Sequence, residues 1–362
     1  MKKERQKEKE KNMENNDSKH QRRTRYKGTY PKSFEAKYKE LQPEKYAETI
    51  EKVISKGNTP AGTHRPICVQ EILEILNIQK GEKGLDATLG YGGHTQEMMK
   101  HITSPGHLYA IDADPIELPR TKERLLNLGF GPDLLTMIPM NFSDIDMLAL
   151  EYGKLDFVLA DLGVSSMQID HPERGFSYKT EGPLDLRMNP NIGVPASIRL
   201  RELKEAEIEG MLVENADEPY ALEIAQAISS AYKKGKDIST TTELKKIITD
   251  ALKFIRADER DEEIKKSCQR SFQALRIDVN HEFEVLYEFL EKLPLILSPG
   301  GRVAILSFHS GEDRLVKKSF QHYFREGVYE KVAPEFIRPS MDEQTSNSRA
   351  RSAKLRWAIK SK

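Results

Sequence analysis

The sequence predicts a doubly wound α/β domain interrupted by an all-helical insert. Three observations carry that expectation. Short β-branched or aromatic runs alternate with helical segments, as in a parallel sheet covered on both faces. A glycine-rich turn, DATLGYGGHT at residues 86–95, follows the first such run. A stretch of about a hundred residues, from Asn191 to Pro294, then carries helical periodicity with no strand signal.

Taken in order, residues 1–58 form a basic extension. Residues 1–27 hold eleven Lys/Arg against five acids and almost no apolar side chains, so ordering them would not offset its entropy cost. A partly disordered arm able to neutralise phosphates is expected there. Phe34, Tyr38, Leu41, Tyr46, Ile50, Val53 and Ile54 then predict a helical lead-in. The domain proper spans 59–190 and 295–362. Its expected strands are Gly84–Thr88, His107–Ile111, Leu134–Ile138, Leu155–Ala160 and Arg302–Phe308, with Lys354–Ile359 as a final edge strand. A helix is expected from Gln96 to Ile102. Within the insert, 191–294, Thr240 and Glu243 make a capping box ahead of Leu244, Ile247, Ile248, Ala251 and Leu252. A later helix repeats Phe272, Leu275, Val279, Phe283, Leu286, Leu290 and Leu293.

Composition bounds the function. The 57 Lys/Arg balance the 57 Asp/Glu, so net charge predicts no polyanionic partner, yet both ends are basic. Residues 349–362 carry six Lys/Arg and no acid. Two cysteines, Cys68 and Cys268, imply no disulfide framework. With no apolar run of membrane-spanning length and no signal-peptide core, a cytoplasmic protein without a membrane partner is expected.

Glycines between a strand and a helix let backbone approach a ligand. Dinucleotide enzymes space them G-x-G-x-x-G, with a pyrophosphate at the helix N-terminus. Here the spacing is G-x-G-G-H, and Asp86 precedes it, where a carboxylate would repel an anion. A cationic adenosyl ligand, S-adenosylmethionine, suits the loop better, and Asp112 in YAIDADP stands where a ribose needs an acceptor. A nicotinamide or flavin cofactor and a plain tight turn remain as alternatives. The fourth strand ends in ADLGVSSMQ, which projects Asp161 into the site at the carboxyl edge of the sheet. An exocyclic base amine is a poor nucleophile, and Asp161 is expected to accept its N–H and take its proton; a turn-capping Asp is the alternative. No G-x-S-x-G elbow exists, neither cysteine follows a site strand, and His309-x-x-Glu312 reads as a polar loop, so no metal site is expected.

These runs, together with LADLGVSSMQIDHPERGFSYKTEGPLDLRM, RSFQALRIDVN, GGRVAILSFHSGEDRLVKK and SRARSAKLR, resemble the bacterial MraW/RsmH family of small-subunit ribosomal RNA methyltransferases over about residues 62–362. The resemblance implies a Rossmann-like class I S-adenosylmethionine-dependent enzyme. It further implies that the enzyme methylates the N4 amine of a decoding-region cytidine in 16S ribosomal RNA. By position it assigns the donor to Gly92, Gly93, His94, Asp112, Phe142, Asp161 and Gln168; Phe142 and Gln168 come from it alone. Two departures stand out. The Pro-Pro-aromatic run that follows the fourth strand in many amino-methyltransferases is absent, which makes Phe176 or Tyr178 the candidate base-stacking ring. Gly311 replaces the family's usual Leu after FHS and is expected to loosen that loop. Arg174, Arg187, Arg270 and Arg276 are the candidate phosphate contacts; pairing with local acids such as Glu181 and Asp185, with Phe176 in the core, is the alternative. A paralogue acting on another cytidine and a non-catalytic RNA-binding assembly factor compete with this reading. The sequence leaves a homodimer open.

Overall fold

The computed structural model describes residues 66–362. The basic extension and the helical lead-in at 34–55 lie outside the described residues. Seven strands form one sheet in the order β3-β2-β1-β4-β5-β7-β6: β1 Lys83–Asp86, β2 His107–Asp112, β3 Leu135–Pro139, β4 Leu155–Asp161, β5 Leu297–Ser307, β6 Tyr329–Val332 and β7 Lys354–Lys360. Strands β1 to β5 run parallel, and β7 is antiparallel to both its neighbours.

Parallel strands are apolar on both faces because helices cover both. Val158 and Ala160 of β4 enter one core with Leu85, Ile111, Val303 and Ile305, while Phe157 and Leu159 enter the other with Leu108, Ala110, Ala304 and Leu306. Helices α1 (Val69–Leu76), α2 (Gly93–Met99) and α3 (Glu117–Asn127) supply the second core. The first is closed by α4 (Ile145–Tyr152) and by two late helices described below.

After β4 come α5 (Ser166–Asp170) and then α6 (Ala196–Glu202), α7 (Glu205–Ala216), α8 (Ala221–Lys233), α9 (Thr241–Ala251) and α10 (Ala257–Asn280). Helices α6 to α10 bury their own cluster, built on Leu200, Ile208, Leu212, Ile224, Ile228, Leu244, Ile248 and Phe272. The expected capping box forms: Thr240 Oγ1 accepts the Glu243 N–H at 3.2 Å.

Three expectations change. The periodic run from Phe272 to Leu293 is two helices, because His281 adopts a left-handed conformation (φ 51°) and ends α10. The second, α11 (Glu282–Ile296), packs Leu286, Phe289, Leu290 and Leu293 against the sheet. Last, β7 is not an edge strand. The hairpin-like strand β6, which the sequence reading lacks, flanks it, with Tyr329 buried in the core that α12 (Ser310–Arg325) helps close.

Candidate active site

A cavity of about 440 Å³ opens at the carboxyl ends of β1, β2, β4 and β5, a size suited to a small-molecule ligand. Its walls include Gly90, Tyr91, Gly93 and His94 from the glycine turn, Asp112, Phe142, Asp161 and Gln168. Arg276, Glu282, His309 and Glu312 close another side.

The turn is shaped by local chemistry. Gly90 and Gly92 both have positive φ (48° and 73°), a conformation that costs an L side chain. A Cβ on Gly92 would stand 3.0 Å from Leu125 Cδ1 and 3.2 Å from Thr121 Cγ2. Gly92 therefore serves by making the turn fit against α3 and is not part of the cavity wall. Helix α2 starts at Gly93, three residues ahead of the expected Gln96.

The acids divide by role. Asp112 accepts N–H bonds from Gly90 (2.7 Å) and Asp114 (2.8 Å), which fixes its carboxylate at the end of β2. Burial pushes its pKa up to about 6 against the lowering effect of those two donors. Asp86 departs from expectation. Its carboxylate accepts from Thr95 Oγ1 at 2.6 Å and the Thr88 N–H at 3.1 Å, so it anchors α2 to β1 beneath the turn. It does not line the cavity, and burial raises its carboxyl above the usual range.

Asp161 is held differently. Its backbone N–H donates to Thr88 Oγ1 at 2.6 Å, locking the ends of β1 and β4. Oδ2 lies 3.5 Å from His94 Nδ1, while Oδ1 is buried without a hydrogen-bond partner. Burial raises its pKa to about 6, the His94 side chain opposes this, and the carboxylates of Asp86 and Glu312 add to it. His94 is itself buried, with Nε2 2.9 Å from the Ile67 carbonyl oxygen.

Phe142 meets Phe289 edge-on, with ring centroids 5.1 Å apart, and lines the cavity. Gln168 is buried, accepting from the Ser165 N–H (2.8 Å) and donating to Asp114 Oδ2 (2.6 Å). Its amide thus ties the segment after β4 to the segment after β2. Asp114, which sequence reasoning missed although it lies two residues past Asp112, is the hub of that tie.

The nominated RNA contacts are internally committed. Arg174 is 6% exposed; it pairs with Asp114 at 2.8 Å and donates to the carbonyls of Arg187 and Met188. Arg187 pairs with Asp185, Arg270 with Glu218 and Arg276 with Glu282. Phe176 and Tyr178 belong to the helical core, Tyr178 lying 5.6 Å from the Phe272 ring. Neither ring forms part of the cavity wall, and of the four arginines, each paired with a carboxylate, Arg276 alone lines the cavity. Cations do reach the mouth from the C-terminal SRARS turn: Arg349 borders the cavity, and Arg351 beside it is exposed.

Gly311 does not leave a gap. A Cβ there would stand 2.5 Å from the Phe283 ring, so Phe283 occupies the space that a larger residue would need. The neighbouring Glu282, His309 and Glu312 bring one ligand atom each within 4.8 Å of one another. Arg276 already neutralises Glu282, and the His309 imidazole lies 3.1 Å from Glu312.

The residues present fit S-adenosylmethionine. The carboxylates of Asp112 and Asp161 and the Phe142 ring all line the cavity, which gives an adenosyl ligand hydrogen-bond acceptors and an apolar face. Among the described residues no helix is long and apolar enough to cross a membrane.

Comparison with known proteins agrees. The profile of the MraW methylase family matches residues 61–361. A protein of Alkaliphilus metalliredigens named ribosomal RNA small subunit methyltransferase H 2 is 70% identical, over 94% of this chain and 98% of that protein. One of Lachnoclostridium phytofermentans, named ribosomal RNA small subunit methyltransferase H 1, is 63% identical over 94% of this chain and 93% of its own. The chain belongs to the MraW methylase family, whose methyl donor is S-adenosylmethionine.

Proposed function

We propose that this chain methylates the N4 amine of a cytidine in the decoding region of 16S ribosomal RNA. The observation that carries this reading is the Asp161 carboxylate at the end of β4, which lines the cavity and keeps Oδ1 without a hydrogen-bond partner. A buried polar atom of this kind is costly unless a ligand completes it.

The donor supplies an electrophilic methyl group on its sulfonium. The chain's own residues supply the rest. Asp112, already fixed by two backbone donors, is placed for ribose hydroxyls. The Asp161 carboxylate, which lines the cavity, accepts one N–H of the cytosine amine and holds its nitrogen in line with the methyl carbon. Bound there, the donor would give its methyl group to the amine nitrogen, with the C–S electron pair kept on sulfur, and the methylated amine would carry an acidic N–H. Its proton passes to the Asp161 carboxylate and then to solvent. The hydrogen bond strengthens as charge develops on nitrogen, so it favours the transition state over the bound substrate.

Relatives named small-subunit ribosomal RNA methyltransferases support the RNA substrate. The exposed Arg351 and Arg338 beside the mouth contribute to holding it. Arg351 donates to the Gln344 carbonyl and Arg338 to the Arg351 carbonyl, contacts that neutralise neither charge.

Mass-spectrometric mapping of small-subunit RNA tests the proposal. A strain lacking the gene should lose one N4-methylcytidine in the decoding region, and the wild-type gene should restore it where an Asp161→Asn gene does not. Loss of a methyl group elsewhere would identify a paralogue with another cytidine target. Unchanged RNA would remove the proposal.

A further inference from the structure

Helix α10 of the insert gives the cavity one wall through Gln273, Arg276 and Asn280. Spacings of three and four residues put these side chains on one helix face. They are committed to different degrees. The Asn280 amide is used up: its oxygen accepts from the Met188 N–H at 2.7 Å, and its nitrogen donates to the carbonyls of Leu186 and Arg276. Arg276 is used only in part. Nε and Nη2 donate side by side to the two oxygens of Glu282 at 2.7 and 2.8 Å, which fixes the plane of the guanidinium. Among the described residues Nη1 meets no acceptor, and the Gln273 amide one turn earlier makes no hydrogen bond.

An anion is a poor occupant for that wall. Glu282 already lies against the guanidinium and Glu312 lines the same cavity, so a phosphate or the donor's own carboxylate would meet two acids for one arginine. A neutral acceptor suits Nη1 better. Cytosine offers one, because ring N3 accepts directly beside the N4 amine that donates. Glu312 bears electrostatically on both Asp161 and Arg276, so the two side chains are neighbours of one carboxylate.

Resting on the N4-methylation reading, we infer that Arg276 is a specificity-determining residue: Nη1 donates to ring N3 of the target cytosine while Asp161 accepts from its N4 amine. Glu282 is the positioning residue that holds the guanidinium. The pattern matches cytosine and mismatches uracil, whose O4 would meet the Asp161 carboxylate and whose N3–H would meet the guanidinium. The helical insert thus reads the base, and the carboxyl edge of the sheet holds the methyl donor.

The test uses full-length protein and small ribosomal subunits reconstituted with cytidine or 3-deazacytidine at the target position. The analogue replaces ring N3 by C–H and keeps the amine. On passing to it, kcat/KM of the wild type should fall about 10- to 150-fold more than that of Arg276→Lys, the range for a hydrogen bond to a charged group. Lysine keeps a cation beside Glu282 but lacks the forked donors. The altered reactivity of the analogue's amine is common to both enzymes and cancels in the ratio, and the S-adenosylmethionine Kd of the variant should match wild type. Equal discrimination by the two enzymes would overturn the inference. So would a Kd weakened as much as kcat/KM, which would assign Arg276 to the donor. If Arg276→Lys unfolds, Arg276→Gln combined with Glu282→Gln removes both charges, leaves no buried ion unpaired and is judged by the same ratio. Wild type that leaves the cytidine of unmodified subunits unmethylated would defeat the functional reading and the inference with it, a result distinct from methylation that ignores ring N3.

Discussion

Asp114, just past β2, and Asp161, the last residue of β4, are acids at the carboxyl ends of the two strands that flank β1, and they are treated in opposite ways. Asp114 is 1% exposed and saturated. The N–H groups of Ile116 and Glu117, the Gln168 amide and the Arg174 guanidinium all donate to it. Asp161 receives no such set: one oxygen faces a histidine and the other has no partner. A saturated acid holds loops together, whereas an unsaturated one awaits a ligand. The same contrast separates the arginines. Arg174, Arg187, Arg270 and Arg276 each meet a carboxylate, while Arg338 and Arg351 donate to carbonyls at the surface.

The contrast breaks most sharply at Arg174. Arg174→Ala would leave Asp114 buried without its charge partner, and loss of one member of a buried pair costs about 3–5 kcal/mol. Thermal unfolding should drop accordingly, and a variant as stable as wild type would return Arg174 to the RNA surface. Asp112→Ala should come next. Losing a charged acceptor for ribose hydroxyls costs about 1.5–3 kcal/mol, or roughly 10- to 150-fold in the S-adenosylmethionine Kd by calorimetry. Unchanged affinity would remove the ribose assignment. The smallest effect belongs to the surface cations. Arg338→Glu with Arg351→Glu should raise KM for the ribosomal particle several-fold, leave kcat near wild type and flatten the salt dependence by about one unit of slope per lost phosphate contact. An unaltered salt slope would place the RNA elsewhere.

Much of the fold is legible in the sequence because parallel strands buried on both faces are apolar runs bounded by turns. Strands β1 to β4 fall within two residues of expectation for that reason. Strand β6 was not legible: YEKV sets two adjacent charged residues between two apolar ones, with no strand alternation to separate it from a loop. The break at His281 carries no Gly or Pro, and the apolar period continues across it; Asn280-His281, two residues that tolerate positive φ better than most, was the available signal. In the site, Asp112, Asp161 and the glycine turn were readable from their place after strands. Partners were not. Arg187 and Asp185 are two residues apart and visible locally, but Arg174 meets Asp114 across 60 positions and Arg270 meets Glu218 across 52. An arginine's freedom to bind phosphate is a tertiary property, and so is the Phe283 ring that fills the space beside Gly311.

The most direct measurement is made on Asp161→Asn, with thermal unfolding and single-turnover methyl transfer recorded on the same preparation at pH 7.5. Asp161 has a folded-state pKa raised from 3.8 to about 6. Its contribution to stability is therefore present at pH values below 3.8 and lost as pH rises through about 6, so at pH 7.5 the ionised carboxylate burdens the fold. The account predicts a Tm equal to or above wild type, with a rate lower by about 100-fold or more. A Tm several degrees lower with a wild-type rate would show that Asp161 is a structural acid like Asp114, and would contradict the account.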